Sequence, residues 1–471
     1  MPKLKDLFSL NIEQDINLVI KADDQSIAQV EKEISEYIVT EEIEKLLEEF
    51  LESYILTSTE KTNVWLSGFF GSGKSYFAKM IGYLVGNPKL QSGLTAHDRF
   101  RERLNASTKK DFIEGRLSAL EKIKAEVVIF EIIKDSSYSE NETIQKIMLK
   151  KLFQKLGYAE DLNVSSIEYD LEKHGYYNDF KAYLRQKNPD PERIMDNQGV
   201  FRKYLIDYLT NKAGFSSEDA KDFLQSALQN YSKELTPDSF TKICLEISNK
   251  IKGRIVFIID EIGSFVTSQR DDNRYLTQLQ GISESFSKNG KGKLWLIVTS
   301  QEKLDQISQV IEKKNNLSKI IDRFPISLDL TSKNVDEVVR KRMLEKKTEK
   351  ISDLESLFNS KKGNIQTITD IKKVTYPKTE NFDSFKDYYP FFTYHIQRLI
   401  PDLIQSPTGS DYAQANERKL ISIVDTILKR LKDEEYTRCV NLVDVFDSLG
   451  VKYFGSGVIE HISNLDKGFE N

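Results

Sequence analysis

Hydrophobic spacing changes period several times along this chain, and those changes outline its elements. From Thr40 the apolar residues Ile43, Leu46, Leu47, Phe50, Leu51, Tyr54 and Ile55 recur at helical spacing. Thr40 is placed to cap this helix, and Glu41 and Glu42 fall in its first turn, where the helix dipole favours acids. The stripe predicts a helix face packed on a sheet. Short apolar runs predict the strands: Val64–Leu66, Val127–Ile132, Ile255–Ile259, Leu294–Val298 and Ile326–Leu330. Five strand candidates alternating with helices imply a parallel, doubly wound α/β sheet. A further strand-like run, Leu18-Val19-Ile20, lies near the start.

Between these runs the pattern is helical. Residues 98–124 are charged and helix-forming. Residues 141–250 are a long, mainly helical block, too long for a loop. One of its helices carries Ile144, Ile147, Met148, Leu152 and Leu156; a break falls at Asn188-Pro189-Asp190-Pro191, and Ser216-Ser217-Glu218-Asp219 starts another helix. Beyond Thr331 a stripe of Val335, Val338, Val339 and Met343 faces one way. Arg340, Lys341, Arg342, Lys346 and Lys347 fill the other side, which reads as a solvated face rather than a DNA contact. Residues 360–390 look polar and irregular, Tyr389-Pro390-Phe391-Phe392 opens an apolar core stretch, and Ser406–Ser410 marks a loop. The expected organisation is an N-terminal strand and helix on the core (1–60), a P-loop half (61–140), a helical insertion (141–250), the rest of the core (251–331) and a C-terminal helical lid (332–471).

Composition narrows the class. The 471 residues are 39% hydrophobic and 30% charged, with a net charge of −5. No run approaches the ~18 apolar residues of a membrane helix, and Met1–Asp6 lacks the apolar region of a signal peptide. Cys244 and Cys439 are far apart, and with four scattered histidines they offer no metal-ligand spacing. A reducing cytoplasm and a chain without membrane contact are expected. The net charge does not advertise nucleic acid, although only a local basic face matters for that.

Two stretches carry chemistry. Gly68-Phe69-Phe70-Gly71-Ser72-Gly73-Lys74-Ser75 fits G-x-x-x-x-G-K-[ST] between a strand and a helix. Its glycines let successive N–H groups converge on phosphate oxygens at a helix N-terminus, with Tyr76 next in line. Lys74 is suited to the β- and γ-phosphates of ATP, and the Ser75 hydroxyl to Mg²⁺. The strand Ile255–Ile259 ends in Asp260-Glu261. Asp260 is placed to hold Mg²⁺ and Glu261 to activate water. Gln301, with Ser300 second, follows a third strand and is the candidate to orient that water. A P-loop kinase is a weaker reading, because no acceptor pocket announces itself.

The order of motifs resembles the AAA+ ATPases of initiator and loader type. The wording is closer to the BREX phage-defence P-loop ATPases (BrxC/PglY). Val64–Ser75, Ile258-Ile259-Asp260-Glu261-Ile262-Gly263, Val298-Thr299-Ser300-Gln301-Glu302, Asp322-Arg323-Phe324 and Asn334-Val335-Asp336-Glu337-Val338 carry the likeness. Asp6-Leu7-Phe8 and Glu36-Tyr37-Ile38-Val39-Thr40 fit as well. The resemblance implies an α/β AAA+ P-loop NTPase that hydrolyses ATP, forms homo-oligomers, and works on DNA with a methyltransferase and other defence proteins. It implies that Arg323 is an arginine finger and Arg418 a lid arginine. Such proteins are usually longer, so a fragment or a short relative is expected. Two other readings stand: a nucleotide-gated assembly scaffold with negligible hydrolysis, and an initiator-like DNA-binding protein outside BREX.

Overall fold

A computed structural model describes residues 2–13, 24–56, 61–68, 72–105, 107–137, 142–187, 197–233, 235–267, 274–301, 322–331, 334–371, 375–404 and 416–449. The run Leu18–Ile20, the loop residues Phe69, Phe70 and Gly71, and Ser406–Ser410 lie outside them.

The centre is a five-stranded, all-parallel sheet. Its strands are β1 (Asn63–Gly68), β2 (Ala125–Glu131), β3 (Arg254–Asp260), β4 (Leu294–Ser300) and β5 (Ile326–Leu330), in the spatial order β2-β3-β4-β1-β5. The apolar runs of β1, β3 and β4 became strands because helices cover both faces and bury them almost throughout, whereas the edge strand β5 leaves Ser327 exposed. Alternation along β3 shows this. Ile255, Phe257 and Ile259 join one core and Val256 and Ile258 the other.

The second of these cores draws on α1 (Ile27–Glu36), α2 (Glu41–Leu56), α3 (Lys74–Gly86) and α4 (Lys110–Leu120), with Ala96 and Phe100 from a short helix between the last two. Helix α2 begins as expected, with the Ile43 N–H donating to Thr40 Oγ1 at 3.3 Å. Its stripe buries Phe50 and Tyr54 against Trp295, with ring centroids 6.3 and 4.7 Å away. A large apolar side chain buried in this way contributes roughly 1.5–3 kcal/mol. The opposite face is covered by α5 (Ile144–Lys155), α6 (Pro237–Ile251), α7 (Ile262–Thr267) and α8 (Arg274–Asn289). The block between α5 and α6 forms a separate core around Phe180, Leu205 and Tyr208. The Ser216 side chain caps a helix there by accepting from the Asp219 N–H.

Three expectations need correction. Residues 360–369 are not irregular. They continue α9 (Ile351–Thr369), because Leu354, Leu357, Phe358 and Ile365 supply a buried stripe that the polar residues around them disguise. The first residues do not pack on the sheet. Leu4, Leu7, Phe8 and Ile12 belong to the core of the C-terminal region, with α10 (Asn416–Leu431). Last, the basic face after Thr331 is tied down rather than freely solvated. Arg340 pairs with Asp336 at 3.0 Å, Lys341 with Glu337 at 2.6 Å and Arg342 with Glu36 at 2.8 Å. Lys346 is buried over the Phe8 ring, and that burial pushes its ammonium well below the usual lysine range.

Among the described residues no helix is long and apolar enough to cross a membrane.

Candidate nucleotide site

The carboxyl ends of β1, β3 and β4 meet at one edge of the sheet, in the register Leu66↔Thr299 and Ile259↔Val298. Chain order reverses there, since β1 sits between β4 and β5. Such a reversal opens a crevice where ligands bind in α/β sheets. The P-loop leaves β1 at this point and enters α3.

Local backbone requirements explain the glycines. Gly73 has φ +87°, the left-handed region that a side chain disfavours. A Cβ on Gly68 would lie 2.6 Å from Ser72 Oγ and 2.9 Å from the Leu330 carbonyl oxygen. The Ser72 hydroxyl is buried with no hydrogen-bond partner among the described residues. A left-handed Gly73 and an orphaned Ser72 hydroxyl at the start of a helix fit a phosphate. Lys74 is buried in the first turn of α3.

Asp260, buried at the end of β3, accepts from the Ser75 hydroxyl at 3.1 Å and from the Thr299 hydroxyl at 2.5 Å. Thr299 Oγ1 in turn accepts from the Glu261 N–H at 2.9 Å. One hydroxyl therefore orients Asp260 and pins the backbone of Glu261. Glu261 has φ +59°, which costs of the order of 1–3 kcal/mol for a residue other than glycine. Its carboxylate accepts from Gln301 Nε2 and from the Ser264 hydroxyl, each at 3.3 Å. Sequence reasoning named Gln301 and Ser300 at this strand end but missed Thr299. The signal was the strand period, which puts Thr299 and Gln301 on the same side.

A hydroxyl and a carboxylate oxygen 3.1 Å apart form an all-oxygen pair of the kind Mg²⁺ takes together with phosphates and water. The donor set fits the metal.

Gly263 sets the approach of α7 to β4. A Cβ there would lie 2.0 Å from Ser300 Oγ and 2.7 Å from Ser300 Cβ, and Ser300 is fully buried. Gly263→Ala is therefore expected to displace the start of α7 and destabilise the protein by about 1–3 kcal/mol. Thermal unfolding checks this: adding Ser300→Gly should recover most of the loss, and a Gly263→Ala protein with unchanged stability would contradict the packing described.

The remaining candidates lie elsewhere. The Tyr76 ring packs edge-on against Tyr37, with centroids 4.8 Å apart, and its hydroxyl donates to the Glu33 carbonyl, so its side chain turns toward α1. Arg323 precedes β5 at the opposite edge of the sheet. Its guanidinium pairs with Glu284 at 2.9 Å and its carbonyl accepts from Asn63 Nδ2 at 2.9 Å. With six residues in β1 and ~3.3 Å per residue, it stands roughly 16 Å or more from its own P-loop. Arg418 falls in α10, and its side chain lies outside the described residues.

A polar cluster that sequence reasoning missed joins α1 to α3. Lys79 Nζ donates to the Glu33 carboxylate at 2.8 Å and to the Asp24 carbonyl at 2.9 Å. The Tyr83 hydroxyl donates to the other Glu33 oxygen at 2.7 Å, and Gln29 Nε2 to the first at 2.8 Å. Both charged side chains are almost fully buried. Burial, reinforced by the Glu33 charge, raises the Tyr83 hydroxyl above the ordinary tyrosine range, so it remains a protonated donor.

Fold and site together define the class: an α/β protein with a parallel five-stranded sheet and a P-loop sequence at its edge, a helical block between β2 and β3 and a C-terminal helical region. No protein-family model matches the chain. A solved structure to which it is distantly similar is the Aeropyrum pernix ORC2 protein in ADPNP–ADP complexes. That likeness has 11% identity and a TM-score of 0.39, and covers 94% of this chain and 72% of that one.

Proposed function

We propose that this protein is an Mg-ATP-dependent AAA+ ATPase of the BREX phage-defence type, which assembles through its ATPase domain and acts on DNA with a methyltransferase and other partners. The observation that carries the ATPase reading is the joint placement of Ser75, Asp260, Thr299, Glu261 and Gln301 within hydrogen-bond reach of one another at the P-loop edge. What supports the BREX part is the wording of the sequence motifs alone.

The roles follow from chemistry. The amides at the start of α3 and the Lys74 ammonium would bind the phosphates. Ser75 and Asp260 would hold Mg²⁺, which when bound neutralises charge on the phosphates. Glu261 would take a proton from the attacking water, and Gln301 would hold Glu261 and that water in line. Arg323, too far from its own site, would complete a neighbour's. The ion pair with Glu284 would be exchanged for a phosphate contact in the oligomer.

Lys74→Ala is expected to weaken ATP binding at least tenfold, read by equilibrium titration with a fluorescent ATP analogue. Affinity equal to that of the parent would remove Lys74 from the site. Arg323→Ala is expected to lower turnover about a thousandfold if it stabilises transferring phosphate across an interface. Mixing it with Glu261→Gln should then restore part of the rate. Absence of rescue in a shown hetero-assembly would leave Arg323 a structural residue.

A second reading, a nucleotide-gated scaffold with negligible hydrolysis, has one observation in its favour. Ser264 and Gln301 both engage the same Glu261 oxygen, so the chain's own donors occupy the base. Binding energy alone can shift an assembly equilibrium.

A further inference from the structure

At the sheet edge opposite the P-loop, the loops that lead into β2, β3 and β4 enclose a cleft of about 550 Å³. Each loop brings two cations: Lys122 and Lys124, Lys252 and Arg254, Lys291 and Lys293. The five lysines are exposed and Arg254 is half-buried. Among the described residues none of the six pairs with a carboxylate. Lys293 Nζ donates to Asn249 Oδ1 at 2.7 Å, and Arg254 donates to the Tyr54 carbonyl at 2.6 Å while lying over the Tyr54 ring. Glu126, two residues past Lys124, makes its ion pair with Lys155 at 4.0 Å and feels the Lys124 charge only at longer range.

Like charges crowded on mobile loops would drift apart, but these loops are stitched together. The Lys124 carbonyl accepts from the Arg254 N–H at 2.8 Å, and the Lys293 carbonyl from the Ile255 N–H at 2.9 Å. Trp295 Nε1 donates to the Gly292 carbonyl at 3.2 Å. The protein thus holds six positive charges together on a chain whose net charge is −5. Their mutual repulsion favours an anion brought in from solution.

We propose that this cleft binds consecutive phosphates of a nucleic-acid backbone. Neighbouring strands are ~4.8 Å apart, so the three loops form a row of about 10 Å, long enough for two or three phosphates rather than one. Five of the six cations are lysines, which act as point charges. Among the described residues no aromatic side chain lines the cleft to stack a base. Recognition is therefore of the backbone and independent of sequence. The inference stands on the cleft and does not depend on the nucleotide reading.

The test uses the full chain and a fluorescein-labelled duplex of mixed sequence, with binding followed by anisotropy across a salt series. Removing Lys122, Lys252 and Lys291 together as alanines should lower affinity about tenfold or more. It should also flatten the slope of log K against log salt by roughly 2.7, at about 0.9 per phosphate contact. The corresponding triple arginine variant should keep both. ATP binding should be unchanged in either. An alanine triple that binds with the parent's affinity and slope would overturn the proposal. So would a parent protein that binds phosphatidylserine vesicles or free tripolyphosphate in preference to the duplex. Loss of ATP binding in Lys74→Ala with duplex binding intact would show that the two sites stand independently.

Discussion

Glu261→Gln should bind ATP as tightly as the parent and hydrolyse it about 10²–10⁴-fold more slowly. The substitution is nearly isosteric. It keeps an oxygen to accept from Gln301 and Ser264 and leaves the backbone bond to Thr299 in place. What it removes is a base able to take the proton of water. Steady-state phosphate release and ATP titration on the same preparation measure both halves. A parent rate that is measurable and collapses in the variant excludes the pure scaffold. A parent rate already indistinguishable from that of the variant, with clear ATP binding in both, would exclude the hydrolase and leave the nucleotide switch. A rising specific rate with protein concentration would add that the site is completed between subunits.

The largest loss of stability is expected from splitting the pair of Lys79 and Glu33. Either Lys79→Ala or Glu33→Ala leaves one buried charge without its ionic partner, which costs about 3–5 kcal/mol. Glu33→Ala also strips the Tyr83 hydroxyl and Gln29 of an acceptor. Replacing both with Met and Leu should be far less damaging than either single change, because no charge is then stranded. Denaturant unfolding of the four proteins compares the losses directly. Single variants that unfold like the parent would mean that water or another group reaches the cluster. The lysine lies five residues past Lys74 on the same helix, so these variants also report whether α1 helps to hold the phosphate loop in place.

Much of the fold was legible because the sheet is buried on both faces. A strand in that setting shows as an unbroken apolar run, and Ile255–Ile259 could hardly be anything else. The P-loop and Asp260-Glu261 were legible because their chemistry is written into contiguous residues. What escaped was non-local. Glu33 and Lys79 are separated by 46 residues and carry no local signature of being partners. The basic cleft collects two cations from each of three distant segments, and the overall negative charge conceals it. Thr299 looked like one of three polar residues at a strand end, and only the register of β4 on β3, with Val298 opposite Ile259, gives it a place beside Asp260. Helix α9 was obscured because only four of its nineteen residues are buried apolar side chains, spread among polar ones.

The first residues carry a consequence for how the molecule is made. The Leu4 N–H donates to the Glu434 carbonyl at 2.9 Å and the Lys5 N–H to that of Lys432 at 3.1 Å, while Lys3 meets Asp433 across 430 positions of sequence. During synthesis this segment leaves the ribosome before residues 432–436, so its bed does not exist until they have followed. Leu4, Leu7 and Phe8 cannot take their native places until all five strands have been translated. The C-terminal core therefore closes by a long-range contact, made only when a segment synthesised far earlier returns to it.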